Sequence, residues 1–244
     1  MLASAIPDTV MGTNCWVLAT GRGAECVVVD PGFDVLDRLR EELAEHRLRP
    51  AAVVLTHGHA DHVWSVTPVC RSGSSTTGGV PALLHGDDRY RLTDPLASLS
   101  APLRAMLEQQ FGPSARWEEP DDVRDLADDQ VLEVAGLSLR VQHAPGHTEG
   151  SAVLSLDGVP GVLSGALAGA DRVVGTTTST LLAGDVLFAG SIGRCDLPGG
   201  DPAAMERTLR DVVVPMPDDR LVLPGHGPVT TIGRERATNP FLPR

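Results

Sequence analysis

The chain has 244 residues, of which 42% are hydrophobic, so it can bury a full core, and disorder across its length is disfavoured. Its formal net charge is −12 and all 20 basic residues are arginine. This balance argues against nucleic acid or an anionic membrane as a partner, because both need concentrated positive charge. The length favours a single domain over residues 1–244. With only 3% aromatic residues, the core is expected to consist of Val, Leu and Ala.

The sequence predicts a cytoplasmic protein. No apolar run reaches membrane-spanning length, and the first eight residues lack the basic start and apolar stretch of a signal peptide. The cysteines are scattered and form no Cys-x-x-Cys pair, which indicates a reduced protein. They are Cys15, Cys26, Cys70 and Cys195.

The first third of the chain alternates strands with helices. Apolar spacing predicts a helix over 33–47, with His46 on its surface, and a short helix over 63–70. Runs rich in β-branched residues predict strands at 15–20, 25–29, 51–55 and 80–85.

The remainder of the chain is mostly strand. Composition predicts a surface loop over 71–79, a helix around 103–110, and a hairpin or insertion over 158–180 to which no role is assigned. Asp201 is the expected N-cap of a helix over 202–213. Further strands are predicted at 131–134, 137–141, 152–156, 181–183 and 221–223.

The segment 56–62, Thr-His-Gly-His-Ala-Asp-His, contains four potential metal ligands: His57, His59, Asp61 and His62. In an extended chain alternate residues face the same way, so His57, His59 and Asp61 are expected to converge. His62 then points elsewhere unless the chain turns. Two directions of ligation indicate two adjacent metal ions rather than one.

Polar residues recur just after the apolar strands. If these strands share a sheet edge, their loops bring acidic and imidazole groups to one rim, which is where catalytic residues are usually found. The residues concerned are Asp30, His57, His147, Asp185 and His226.

Together these motifs resemble the metallo-β-lactamase superfamily. The matching segments are His-x-His-x-Asp-His (57–62), Gly-His-Thr (146–148), Gly-Asp (184–185) and Gly-His-Gly (225–227). The resemblance implies an α+β fold, an αββα sandwich of two mixed sheets flanked by helices, with a dinuclear metal site. It covers nearly the whole chain.

The resemblance also implies a ligand set. One metal would be held by His57, His59 and His147, and the other by Asp61, His62 and His226. Asp185 would bridge both metals, and Asp30 would support the site from behind the ligands. Zn²⁺ suits such ligands, and Fe or Mn would also fit.

The expected chemistry is metal-dependent hydrolysis. Two cations that share a water produce hydroxide near neutral pH without a separate general base. The ligand carboxylates Asp61 and Asp185 offset the metal charge and so tune this hydroxide.

Within the superfamily the chain is most similar to the glyoxalase II-like, hydroxyacylglutathione hydrolase-related enzymes. Residues 189–201 resemble the segment that follows the bridging Asp in these enzymes, and residues 225–240 resemble their short, single-domain members. The resemblance implies a small thioester or ester as substrate. The sequence is not expected to include the C-terminal helical domain that carries much of the glutathione site in the full-length enzymes, which leaves a thiol carrier other than glutathione open. β-Lactamases are expected to resemble it less well, because Asp185 marks hydrolases with a bridging carboxylate.

Four polar residues are candidates for substrate binding: Arg194, Tyr90, Asn14 and Thr13. For Arg194 a salt bridge beside Asp196 is an equally good interpretation.

The alternative function is a persulfide dioxygenase of the same fold. This family binds a single iron through residues that match His57, His147 and Asp185. The retained set of Asp61, His62 and His226 favours the hydrolase.

Overall fold

The computed structural model describes residues 1–73, 79–111, 117–165, 167 and 170–243. Its helices are α1 (Leu36–His46), α2 (Ala60–Val63), α3 (Val66–Ser72), α4 (Ala101–Phe111), α5 (Asp171–Val174), α6 (Pro202–Thr208) and α7 (Ile232–Thr238). Its strands are β1 (Leu2–Pro7), β2 (Asn14–Ala19), β3 (Glu25–Val29), β4 (Arg49–Val54), β5 (Ala82–Leu84), β6 (Val123–Asp125), β7 (Val131–Val134), β8 (Leu137–His143), β9 (Ala152–Asp157), β10 (Val162–Gly165), β11 (Ser179–Gly184), β12 (Arg220–Pro224) and β13 (Thr230–Thr231).

The strands form two mixed sheets. The first has the order β10-β1-β2-β3-β4-β5-β6, and the second has the order β13-β12-β11-β9-β8-β7. In the first sheet β3, β4, β5 and β6 run parallel, β1 is parallel to β10, and β2 is antiparallel to both its neighbours. In the second sheet only β11 and β12 are parallel. Two mixed sheets flanked by helices confirm the predicted αββα fold class.

A central core fills the space between the sheets. Leu18 and Val27 of the first sheet belong to the same buried cluster as Leu154 and Leu182 of the second. Because side chains alternate along a strand, the intervening residues face outward and pack against helices. The outer face of the first sheet packs with α1 and α3, and that of the second packs with α6 and α7. These clusters consist mainly of Val, Leu and Ala, as the composition predicts.

Several element boundaries differ from those expected. The helix predicted over 33–47 is α1, which ends at His46 because Arg47 adopts a left-handed conformation with φ of 55°. His46 was expected on the surface but is buried, with its Nε2 3.0 Å from Ser164 Oγ. The helix predicted over 63–70 is two short helices, α2 and α3. The sequence did not indicate β1, since Ser4 interrupts its apolar run.

The later segments agree better with expectation. Asp201 accepts hydrogen bonds from the backbone N–H groups of Ala203 and Ala204, which confirms it as the N-cap of α6. A π-helical segment, Leu209–Val213, continues α6. The predicted loop over 71–79 lies largely outside the described residues, as do positions 166, 168 and 169 of the expected insertion. The rest of that insertion contributes β10, α5 and the start of β11.

No helix among the described residues is long and apolar enough to cross a membrane.

Candidate metal centre

The histidine-rich motif changes conformation halfway along its length. It begins as extended chain after β4 and enters α2 at Ala60. His57 and His59 therefore lie on the extended part, whereas Asp61 and His62 lie on the helix. The expectation that Asp61 converges with His57 and His59 is wrong, because residues of a helix no longer alternate. Asp61 is grouped instead with His62 and His226.

The first cluster consists of three imidazoles, those of His57, His59 and His147. The distance from His59 Nδ1 to His147 Nε2 is 2.8 Å. His57 Nε2 lies 3.1 Å from His59 Nδ1 and 3.2 Å from His147 Nε2. His147 comes from the loop between β8 and β9, so this cluster joins loops of the two sheets.

The second cluster consists of Asp61, His62 and His226. Asp61 Oδ2 lies 3.6 Å from His62 Nε2 and 3.3 Å from His226 Nε2. His226 follows β12 and joins this cluster from the second sheet. Its side chain is 28% exposed, which makes it the most exposed of the seven side chains at the centre.

Asp185 lies between the two clusters. Its Oδ1 is 3.3 Å from His62 Nε2, and its Oδ2 is 3.5 Å from both His147 Nε2 and His226 Nε2. The carboxylate therefore contacts a member of each cluster. Asp185 directly follows β11, and the parallel neighbour β12 delivers His226 to the same sheet edge. The structure thus brings together all seven side chains that the resemblance implied as ligands.

The hydrogen bonds behind the imidazoles turn their lone pairs inward. His147 Nδ1 donates to the Arg194 carbonyl at 2.7 Å, and His62 Nδ1 donates to Asp30 Oδ2 at 3.0 Å. Thr56 Oγ1 donates to Asp30 Oδ2, so it is an acceptor for His57 Nδ1 at 3.2 Å. In a neutral imidazole the second nitrogen is then an acceptor. The Nε2 atoms of His57 and His147 consequently face each other at 3.2 Å without a donor between them.

These residues suit a pair of divalent cations. Buried polar atoms normally find a partner, yet His62 Nε2 and Asp185 Oδ1, which face each other at the centre, have no hydrogen bond among the described residues. Converging lone pairs repel one another, and a cation is the partner that would satisfy them. Imidazole and carboxylate are ligands of Zn²⁺, Fe and Mn. A metal pair is therefore the group that this donor set fits.

The electrostatics keep most of the donors in the form that binds metal. Burial lowers the pKa of His57 well below its usual range and lowers that of His59 to about 3. Burial opposes ionisation of Asp61 and Asp185, but the neighbouring imidazoles, His62 and His226 among them, together outweigh it and lower the pKa of both carboxyls. Neutral imidazoles and ionised carboxylates are the ligating species.

Asp30 and Thr13 orient residues of the second cluster. Asp30 accepts from the Thr56 backbone N–H as well as from His62, and this fixes the His62 ring. Thr13 Oγ1 donates to Asp61 Oδ2 at 2.7 Å. Thr13 was expected to line the substrate pocket, but its side chain is buried and holds a carboxylate instead. Asp30 lies where the resemblance placed it, behind the ligands.

Thr13→Val is expected to weaken metal binding at the second cluster by about tenfold, because lost support of a ligand typically costs 10- to 100-fold. Equilibrium metal titration measures this change. KM for any substrate should stay within about twofold, since valine keeps the shape of the side chain. The matched control is Thr180→Val, which removes a hydroxyl donating to the Gly158 carbonyl far from the centre. A raised KM with unchanged metal affinity would restore Thr13 as a substrate-binding residue.

Asp88 is a structural anchor of the centre that the sequence did not reveal. It is fully buried and accepts hydrogen bonds from Gly58 N–H at 2.7 Å, Thr148 Oγ1 at 2.8 Å and Gly150 N–H at 2.8 Å. Arg91 Nε donates to it at 3.2 Å. One carboxylate therefore ties the loop bearing His57 and His59 to the loop bearing His147. Asp88 lies in a polar, aspartate-rich stretch, so nothing local distinguishes it from a surface residue.

The other three candidates for substrate binding, Asn14, Tyr90 and Arg194, lie in three different environments. Asn14 is buried and its Nδ2 donates to the carbonyls of Pro224 and Gly227, so it holds the His226 loop rather than the pocket. Tyr90 lines a separate cavity and is 57% exposed, with its hydroxyl 3.3 Å from Glu149. Arg194 lines the cavity above the centre, but its guanidinium makes two 2.7 Å hydrogen bonds to Asp196. The salt-bridge interpretation of Arg194 thus describes the structure.

Among curated relatives, hydroxyacylglutathione hydrolase GloC of Haemophilus influenzae is 30% identical over 238 residues. The alignment covers 97% of this chain and 96% of GloC.

Two solved structures are similar over the whole chain. BLEG-1, a B3 metallo-beta-lactamase, has 31% identity and a TM-score of 0.72. The match covers 99% of this chain and 100% of the BLEG-1 chain. TTHA1623 in a di-iron-bound form has 29% identity and a TM-score of 0.70. The match covers 98% of this chain and 99% of the TTHA1623 chain. BLEG-1 and GloC are therefore about equally similar to this chain in sequence.

The sequence also matches one family model, that of the metallo-beta-lactamase superfamily, over residues 8–178. This match spans well over half of the 244 residues. The chain therefore belongs to the metallo-β-lactamase superfamily.

Proposed function

We propose that this protein is a metal-dependent hydrolase that cleaves a small thioester or ester at a pair of divalent ions, with Zn²⁺ as the first candidate. The position of Asp185 carries this proposal, since its two oxygens reach His62 on one side and His147 and His226 on the other. A carboxylate so placed is suited to bridge two cations. The similarity to GloC supports an acyl thioester as the substrate class. The similarity to TTHA1623, whose structure is a di-iron-bound form, supports iron as the alternative metal.

The residues divide the work as follows. His57, His59 and His147 would hold one ion, Asp61, His62 and His226 would hold the other, and Asp185 would be shared. When bound, two such metal ions would lower the pKa of a water molecule between them and polarise a carbonyl oxygen.

The carboxylates of Asp61 and Asp185 reduce the net positive charge of the centre. Asp30 keeps the His62 ring in place, and Thr13 keeps the Asp61 carboxylate in place. A thiolate is a good leaving group, so the chain needs no strong general acid to release it.

Metal content and turnover, measured on one preparation, test the proposal. The protein is loaded with Zn²⁺, Mn²⁺ or Fe²⁺, bound metal is counted by elemental analysis, and free thiol is followed during incubation with S-D-lactoylglutathione and with simple acyl thioesters. We expect about two ions per chain and thiol release that a chelator abolishes.

Other outcomes would contradict it. One iron per chain, with oxygen uptake on a persulfide and no thiol release, would identify the persulfide dioxygenase instead. Opening of a β-lactam without thioester cleavage would place the activity with that of BLEG-1.

We further propose that the protein acts on a small molecule in the cytoplasm, without nucleic acid or membrane as partner. The formal charge of −12 supports this view. The four cysteines are free, and burial raises the pKa of Cys26 and Cys70 to about 12, which suits buried thiols of a reducing compartment.

A further inference from the structure

A cavity of about 560 Å³ opens directly onto the metal centre. Its floor includes His59, Asp61, His147, Asp185 and His226. The wall around this floor is mostly apolar, and the residues that form it are Met11, Leu99, Leu103, Phe188, Ile192 and Leu197.

The apolar wall begins at the centre itself. The Phe188 ring packs edge-on against the His226 ring, with centroids 5.7 Å apart and an interplanar angle of 86°. A group attached to a carbonyl carbon held at the centre would therefore meet apolar surface at once.

Both sides of the wall are braced by buried cores. Met11 and Leu99 pack against the cluster of Phe33, Ala60 and Leu107, and Ala60 directly precedes Asp61 in α2. On the opposite side, Ile192 packs on the core beneath the second sheet. The wall is consequently part of the folded framework and offers a preformed apolar surface.

The cavity has no free cation among its described lining residues apart from its histidines. Arg194 is the arginine of this lining, and both of its 2.7 Å hydrogen bonds go to Asp196. The nearby Arg91 is buried and bound to Asp88 and Glu149. A substrate carboxylate beside Arg194 would have to compete with Asp196 for the guanidinium.

From the apolar wall and the absence of a free cation among its described residues, we infer that the preferred substrate carries a neutral, apolar acyl group. This group is an aliphatic chain of medium length or an aryl ring, and it binds against Phe188 and Leu103. This inference rests on the proposed hydrolase function and specifies its substrate class. In the reaction, water adds its oxygen to the carbonyl carbon and the carbon–sulfur bond breaks. The sulfur leaves with the bonding electron pair and is protonated to the thiol. The acid product loses its proton to water.

The test uses the metal-loaded protein and a series of thioesters of one small, uncharged thiol, N-acetylcysteamine. We expect kcat/KM to rise about fourfold per added methylene from acetyl to hexanoyl, on the order of 100-fold over the series, because each buried methylene adds transition-state binding. The hexanoyl thioester should also exceed S-D-lactoylglutathione. The fluorescence of a neutral apolar dye displaced by the non-hydrolysable hexanoyl ketone analogue gives a binding readout independent of turnover.

Substitutions in α4 test whether the apolar cavity wall determines the preference for longer acyl groups. Leu103→Arg should lower kcat/KM for the hexanoyl thioester at least about tenfold more than kcat/KM for the acetyl thioester. Met106→Arg is the matched control, since Met106 is exposed on the same helix and does not line the cavity. Leu103→Ala, a smaller change, should flatten the chain-length series even if the arginine variant folds poorly.

The outcomes separate the inference from the proposed function. A flat or falling series, together with efficient cleavage of S-D-lactoylglutathione, would overturn the apolar acyl group and leave the hydrolase intact. Absence of cleavage of every thioester by fully loaded protein would overturn both.

Discussion

Asp185→Ala is expected to lower kcat/KM for thioester hydrolysis by at least about 10³-fold and to reduce bound metal to about one ion per chain or fewer. The carboxylate is the group that contacts members of both clusters, at 3.3 to 3.5 Å. Without it, each cluster keeps its own three residues but loses the carboxylate that both would share. Elemental analysis and steady-state kinetics on the same sample measure both effects.

The fold is expected to survive this change. Asp185 follows the end of β11 and makes its contacts within the centre, so the circular dichroism spectrum should match that of the unchanged protein. Asp211→Ala is the control, because Asp211 is an exposed carboxylate bound only to its neighbour Arg210. An alanine variant at position 185 that keeps both metal ions and full activity would refute the bridging role.

Asp88→Ala is expected to destabilise the protein by about 3–5 kcal/mol, because it leaves the Arg91 Nε–H and three other buried donors without their acceptor. For a chain of this size, such a loss lowers Tm by roughly 10 °C. Metal affinity of the His57, His59 and His147 cluster should fall about 10- to 100-fold, since Asp88 holds both loops that carry these ligands. Thermal unfolding and metal titration measure the two effects.

Two further variants make this prediction sharper. Asp88→Asn keeps the size and one acceptor oxygen, so it should fold well enough for metal titration and still show weakened binding at the same cluster. Asp87→Ala removes the adjacent carboxylate, which is 59% exposed, and should change neither Tm nor metal affinity appreciably. If Asp88→Asn behaves like Asp87→Ala, then Asp88 does not position the ligands.

The clearest part of the sequence signal was chemical rather than geometric. Four potential ligands within six positions indicated metal binding, and the histidines and aspartates after later strands completed the set. The spacing alone grouped Asp61 wrongly, because it could not reveal that the chain enters a helix at Ala60. Dense motifs therefore predict which residues meet more reliably than they predict which way each residue points.

The missed residues have a common physical cause. Asp88 acts through loops that are 30 and 60 positions away in sequence, so its role exists only in the folded chain. Met11 and Leu103 line the cavity from segments that lack a strong periodic pattern. Thr13 and Asn14 were recognised as relevant polar residues, but their partners, Asp61 and the His226 loop, were not evident from sequence.

The ligand-bearing loops come from different halves of the sandwich. Four of the seven donors follow β4 in the first sheet, and the other three follow β8, β11 and β12 in the second. A bound pair of metal ions would therefore link the two sheets to each other, in addition to its part in catalysis. The complete donor set exists only when the sheets have docked in register, so metal capture selects correctly assembled molecules and stabilises them by mass action. Metal supply would then govern how much of this protein stays folded, independently of how much substrate it turns over.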